Sequence, residues 1–159
     1  EAIPILIELL PRIKDDRIKE GIVRALTIKE AKAVASVPLM REFLVATNGR
    51  SLKWAIGNAL SVVADDSVFE EIVELVCDKR HGQAREMLAE ALGNLSNPRA
   101  IDELVQLLDD DEIAGHAIVA LGKLTATKAR REIEPFLEHP KSWIRREAKR
   151  ALARIDKAN

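Results

Sequence analysis

The sequence has no tyrosine, only three phenylalanines and two tryptophans, and a single cysteine, Cys77. One cysteine excludes an intrachain disulfide and favours a reducing compartment, so the cytoplasm is the expected location. A core so poor in aromatics must be filled by Leu, Ile, Val and Ala, which suits close helix packing. No hydrophobic run approaches the roughly 20 residues a membrane-spanning helix needs, and the start shows no signal-peptide pattern. There is no G-x-S-x-G turn, no phosphate-cradling glycine loop and no strand-like alternation. Metal-ligand spacing is missing as well. Cys77 and His81 stand one helical turn apart with Asp78 between them, a two-ligand fragment at most, and His116 and His139 lack ligand-spaced partners. No cofactor, metal or catalytic residue is therefore assigned, and the chain is expected not to be an enzyme.

What is present is 159 residues, 47% hydrophobic and 32% charged, enough for one folded domain. The formal charge is −1, but it is unevenly distributed. Residues 1–64 and 128–159 are net basic, whereas residues 65–112 hold fourteen acidic side chains and four basic ones. That is a sign pattern along the chain, not a general affinity for polyanions.

Five stretches align without gaps: GIVRALTIK, AIGNALSVV, MLAEALGNL, HAIVALGKL and EAKRALARI. Each contains an Ala-Leu pair, ending at Leu26, Leu60, Leu92, Leu121 and Leu152, with spacings of 34, 32, 29 and 31 residues. A period near 30 is the mark of a helical solenoid. Counting each leucine as position 0, apolar residues recur at −8, −4, −1, 0 and +3, one stripe of a helix. The first copy departs at +3, with Lys29. A preceding helix in each copy carries a large apolar pair: Leu9-Leu10, Phe43-Leu44, Leu75-Val76, Leu107-Leu108 and Phe136-Leu137. Asn97-Pro98 reads as a helix start, Asn48-Gly49 and Pro140 as turns, and Asp109 to Glu112 as acids at a helix N-terminus. The expected fold is all-α, a right-handed α-α superhelix of five stacked helical hairpins, forming one array over residues 1–159. The repeats are placed at about 1–34, 35–67, 68–97, 98–127 and 128–159. Neither end shows an evident polar cap, so end-to-end continuation of the array is expected to be open.

The pattern V-R-x-x-A-A-x-A-L-G-x-I, matched best by WIRREAKRALARI and QAREMLAEALGNL, resembles the HEAT-like repeats found in phycobilin lyases and many bacterial scaffold proteins. The resemblance covers essentially the whole chain at repeat level. It implies the fold, and it implies that the second helix of each hairpin lines a concave surface. Nothing in the sequence identifies a bilin or its acceptor cysteine, so that activity is not carried over.

A basic residue recurs at −7, as Lys19, Lys53, Arg85 and Arg145, with Ala114 the exception. One cation per repeat is read as architectural, pairing with acids or helix-end carbonyls of its own or the next repeat. The line opposite the stripe runs through −9, −6, −5, −2 and +2 and supplies the candidate partner-binding residues: Glu20, Trp54, Asn58, Glu86, Met87, Glu90, His116 and Val119. Trp54, Met87 and Val119 are apolar where the pattern predicts solvent, and Trp is a favoured interface anchor. Trp143, at −9, is expected to cover the stripe. These residues point to a non-catalytic scaffold or adaptor that binds a protein or peptide, with Glu20 and Glu86 selecting a basic or amphipathic ligand.

The alternative is nucleic-acid binding through Arg146, Arg150 and Arg154, which lie on one line of the last helix. A near-zero net charge and the lack of interleaved aromatics weigh against it. The alkylpurine DNA glycosylases with HEAT-like repeats use tryptophans with an Asp on the concave face. Here the residue one turn from Trp54 is Asn58, which cannot carry the charge that stabilises a developing sugar cation. The HEAT-like metal-dependent hydroxylases carry His-Glu pairs, and this chain contains no His-Glu dipeptide.

Overall fold

The computed structural model describes residues 2–46 and 50–158. Among the described residues ten α-helices follow one another: α1 (Ala2–Leu9), α2 (Asp16–Ala25), α3 (Lys32–Val45), α4 (Arg50–Val63), α5 (Phe69–Cys77), α6 (Ala84–Leu92), α7 (Ala100–Gln106), α8 (Ala114–Lys123), α9 (Arg130–Ile133) and α10 (Ser142–Ala158). Short 3-10 turns extend or precede several of them, such as Leu107–Asp109 after α7 and Glu134–Glu138 after α9. There is no strand among the described residues, and no helix among them is long and apolar enough to cross a membrane.

One local device recurs where the chain reverses. An Asp or Asn side chain accepts from the backbone N–H two residues on: Asp15 from Arg17 at 2.8 Å, Asp65 from Ser67 at 3.0 Å, Asp78 from Arg80 at 3.0 Å, Asn97 from Arg99 at 3.0 Å and Asp110 from Glu112 at 3.1 Å. Each satisfies an N–H at a helical start and fixes the entry angle. The expected Asn97-Pro98 start is thus a capped turn, with α7 itself beginning at Ala100. The expected Asn48-Gly49 turn lies outside the described residues.

The second helices α2, α4, α6, α8 and α10 pack directly on one another in order, while the first helices scarcely touch. Helices that meet along their lengths on one side and splay on the other define a curved stack, so the second helices form its inner side. Small residues set the spacing. A Cβ added at Gly93 would stand 2.7 Å from the Cβ of Ala120, and one at Gly122 would stand 2.8 Å from that of Ala151. In the last two junctions the Ala at −1 therefore sits on the glycine at +1 of the preceding repeat.

The stripe at −8, −4, −1, 0 and +3 is buried in the second to fifth repeats, apart from the half-buried Leu124. The first repeat departs from it: Ile18 and Ala25 are exposed and Ile22 is half-buried, on a face that no other described helix pair covers. Sequence periodicity also missed a second buried edge. Val23, Gly57, Ala89 and Ile118, at −3, are all buried, and Gly57 lies against Met87 of the following repeat.

The basic row is architectural, as expected. Lys53 Nζ donates to the Ala46 carbonyl at 3.0 Å, Arg85 Nε to Val76 O at 2.7 Å, and Arg145 Nη1 to His139 O at 2.7 Å. In each case a cation closes the C-terminus of the first helix of its own hairpin, where unpaired carbonyls and the helix dipole favour it. Lys19 instead bonds Glu42 of the next repeat at 2.5 Å. Arg85 is only 1% exposed and also binds Asp110 and, at 3.0 Å, Glu112. Two of the acids at the start of the fourth repeat's second helix therefore serve as the acceptors of a buried guanidinium.

Candidate functional site

The inner surface is built by the −6, −2 and +2 positions of successive second helices, which the −3/+1 and −5/−1 packing edges turn toward the hollow. In the first two repeats Glu20 is fully engaged. Its carboxylate accepts from Arg24 Nη2 at 2.6 Å and Nε at 3.0 Å, and from Ser51 Oγ at 2.7 Å. These bonds, that from Ser51 first, hold the Glu20 carboxyl below its ordinary range. Trp54 is half-buried on α4, one turn from the half-buried Asn58. The indole is thus neither sealed in the core nor free of it.

The middle repeats gather a polar cluster. Glu86 and Glu90 stand one turn apart on α6 and face His116 of α8. Glu90 Oε1 accepts from His116 Nδ1 at 2.9 Å, Glu86 Oε2 lies 3.6 Å from Nε2, and Lys123 Nζ is 3.5 Å from the second oxygen of Glu90. The His116 hydrogen bond pulls the Glu90 carboxyl below the usual range, burial opposes it, and the Lys123 cation adds to the lowering. Glu86 is held only by the 3.6 Å contact among the described residues. It is the carboxylate of this cluster with the most unused hydrogen-bonding capacity.

Trp143 closes this cluster from the last repeat. Its ring lies 5.3 Å from that of His116, and a Cβ placed on Gly115 would collide with the indole at 2.0 Å. The indole fills the space that a side chain at −6 of the fourth repeat would take. It also packs against the core, as expected. Sequence reasoning missed its place beside His116, although the signal existed: Gly115 stands at −6, where every other repeat has a large side chain. Lys123 was not singled out either, and it joins the cluster because +2 and −2 of neighbouring helices converge.

Met87 requires a correction. It was expected to protrude, yet it is 8% exposed, and a Cβ at Gly57 would stand 3.1 Å from its own Cβ. Position −5 lies on the packing edge between second helices, so Met87 forms part of the wall. Val119 is half-buried on α8.

In the last repeat Arg146, Arg150 and Arg154 are exposed along α10. Glu147 intervenes: its carboxylate accepts from Arg150 Nη1 at 2.8 Å and lies 3.4 Å from Arg146 Nε. Two of the three arginines thus already face a carboxylate on their own helix, which offsets attraction for phosphate. His81 lies against the Phe43 ring at 5.3 Å and 3.6 Å from Asp78. Cys77 is exposed, with burial of its thiol as the main influence raising its pKa. No group of three metal-ligating side chains converges among the described residues.

Residues 84–110, from the start of α6 to just past α7, match the family model of the PBS lyase HEAT-like repeat. Two designed armadillo repeat proteins share the architecture. One is 16% identical with a TM-score of 0.58; the other, solved in complex with the peptide (KR)4, is 17% identical with a TM-score of 0.57. Each comparison covers 94% of this chain and 80% of the other. No curated protein matches the chain. These likenesses establish a helical-repeat superhelix with a HEAT-like unit at 84–110.

Proposed function

We propose that this chain is a non-catalytic scaffold that holds an extended basic or amphipathic peptide segment of another protein along its inner surface. The observation that carries the reading is the row at −6 on three successive second helices: Glu20, then Trp54, then Glu86. An aromatic face flanked by carboxylates suits a ligand that alternates cationic and apolar or planar side chains, since a guanidinium or an alkyl-ammonium stem stacks on an indole while its charge meets an acid. Adjacent stacked helices are about 8–10 Å apart, roughly three residues of extended chain. A segment running across the helices would present a side chain to each in turn. Glu86 is the acid best placed to pair with it, because Glu20 is already satisfied by Arg24 and Ser51. Asn58, Glu90, His116 and Val119 extend the surface. Met87 supports it from below.

A designed protein of this architecture was solved with a (KR)4 peptide, and that peptide is a suitable first probe. Its affinity is measured by fluorescence anisotropy for the unaltered chain, Trp54→Ala and Glu86→Gln. Each substitution is expected to raise Kd about fivefold or more, the scale of a true anchor. Affinities that agree within about twofold for all three proteins, or no binding by the unaltered chain at low salt, would reject the basic-ligand reading.

A further inference from the structure

The inner rows at −6, −2 and +2 change their charge from one repeat to the next, and the change runs in order along the stack. In the first repeat Glu20 and Arg24 neutralise each other at 2.6 Å. The second repeat places Trp54, Asn58 and Val62 on these rows, without a charge. The third places Glu86 and Glu90 there, and no cation. The fourth carries a single charge on these rows, Lys123, which lies 3.5 Å from Glu90. The fifth places Arg146, Arg150 and Arg154 there, and no acid. The hollow thus turns from acidic at α6 to basic at α10 within two helix steps.

This openness does not come from an end of the array. In the interior repeats Trp54, Asn58, Glu86, Glu90 and Val119, at −6 and −2, stay half-buried although a repeat stacks on either side. The exception, Gly115, lies under the Trp143 indole. Arg146 and Arg150 occupy those same two rows on α10. Internal pairing leaves both poles uncompensated. One carboxylate, Glu147, serves two guanidiniums, Arg150 at 2.8 Å and Arg146 at 3.4 Å, and both arginines remain 60% exposed. Arg154 pairs with no carboxylate among the described residues. At the acidic pole Glu86 has only its 3.6 Å contact with His116. Val119 and the Trp143 indole lie between the poles and carry no charge.

Two helix spacings separate the poles by about 16–20 Å, which is about five or six residues of extended chain. A uniformly basic segment that reaches α10 meets repulsion there. A segment whose charge changes sign meets the opposite charge at each pole. Complementary charges of this kind fix register and exclude wrong partners more than they add raw affinity. Resting on the groove-binding reading above, we propose that the occupant of the hollow is a charge-segregated protein segment. It carries Lys or Arg where it crosses α6, an apolar residue where it crosses α8, and Asp or Glu where it crosses α10. The order of its charges, rather than its net charge, decides binding and fixes which way round it lies.

Three labelled peptides test this by fluorescence anisotropy at low salt. They are (KR)4; KRKRGSEDED, whose charged blocks are centred about 20 Å apart when extended; and its isomer KERDGSKERD, of identical composition with the signs alternating. KRKRGSEDED is expected to bind about fivefold or more tighter than the isomer, and the difference is expected to fade as added salt screens the poles. The paired substitution Arg150→Glu and Arg154→Glu replaces exposed side chains. It is expected to weaken KRKRGSEDED about fivefold or more while tightening (KR)4. Misfolding would weaken both, so the opposite shifts report on charge order alone. Isomer affinities within about twofold, or a parallel or absent response of the two peptides to the paired substitution, overturn the proposal. The basic-ligand reading survives that outcome if (KR)4 still depends on Trp54 and Glu86, and no binding by any of the three peptides overturns both. A single-stranded oligonucleotide that binds more tightly than KRKRGSEDED, and is lost on the paired substitution, assigns α10 to a polyanion and also overturns the proposal.

Discussion

Burying a guanidinium is costly unless its N–H groups find acceptors, and Arg85 meets that condition with the Val76 carbonyl, Asp110 and Glu112. The side chain ties the end of one helix to the start of the next repeat, so its loss acts on both. Arg85→Ala is expected to lower stability by about 3–5 kcal/mol in urea unfolding, with Arg85→Lys recovering only part of it, since an ammonium cannot reproduce the planar fork. Glycines show how far the residue type alone misleads. Gly93 has no room for a methyl group, and Gly93→Ala is expected to cost about 1–3 kcal/mol through overpacking. Gly21, by contrast, lies within α2 and has open space around it. Gly21→Ala is expected to stabilise by about 0.5–1 kcal/mol from helix propensity alone. Opposite signs from the same substitution in the two urea curves would confirm the junction geometry; equal signs would contradict it.

At the scale of single elements, the ends of the helices are the informative places. α8 terminates on Thr125, whose φ of 47° is the left-handed region that a β-branched residue tolerates poorly. The closure itself is sound, with Ala126 N–H donating to Leu121 O at 3.1 Å. Thr125→Gly is expected to relieve the strain and raise Tm by about 2–4 °C, the equivalent of about 1 kcal/mol in a chain of this size. Helix periods and the recurring cation at −7 were legible before any coordinates, because both follow from the 3.6-residue repeat and from helix-end carbonyls that need donors. The edge at −3 was not. Gly57 and Ala89 carry too little hydrophobic signal to mark a contact whose requirement is closeness, and Lys149 at the same position disguises the row.

Across the whole molecule, charge makes stability depend on pH in a defined direction. Glu90 and Asp65 ionise more readily in the folded protein than usual, Glu90 chiefly through His116 and Asp65 chiefly through Ser67. Burial pushes Asp110 up, but the hydrogen bond and charge of Arg85 bring it below its ordinary value. Carboxyls lowered by folding stabilise fully above their unfolded pKa of about 4 and lose that contribution as pH falls through the folded values. Burial lowers the imidazole of His81. The unfolded chain therefore takes up that proton first, and stability begins to fall below about pH 6.5. Thermal unfolding across pH should give a level Tm from about pH 8 to 7, a shallow decline below about 6.5 and a steep one below about 4. His81→Gln is expected to remove the shallow limb and keep the steep one.

By itself the sequence determined the all-helical class, the hairpin repeat with its buried Ala-Leu seam and the architectural row of cations. Each follows from local periodicity repeated often enough to exclude accident. Only the tertiary structure decided which of the residues outside the seam are open. Met87 is sealed and Trp54 is half-exposed, although both stand off the apolar stripe, because stacking brings the −5 edge against a neighbour and leaves −6 at the hollow. It also decided that Glu20 is satisfied while Glu86 is not. Those outcomes depend on distances between helices some thirty residues apart, and a helical period read along one chain segment contains no information about them.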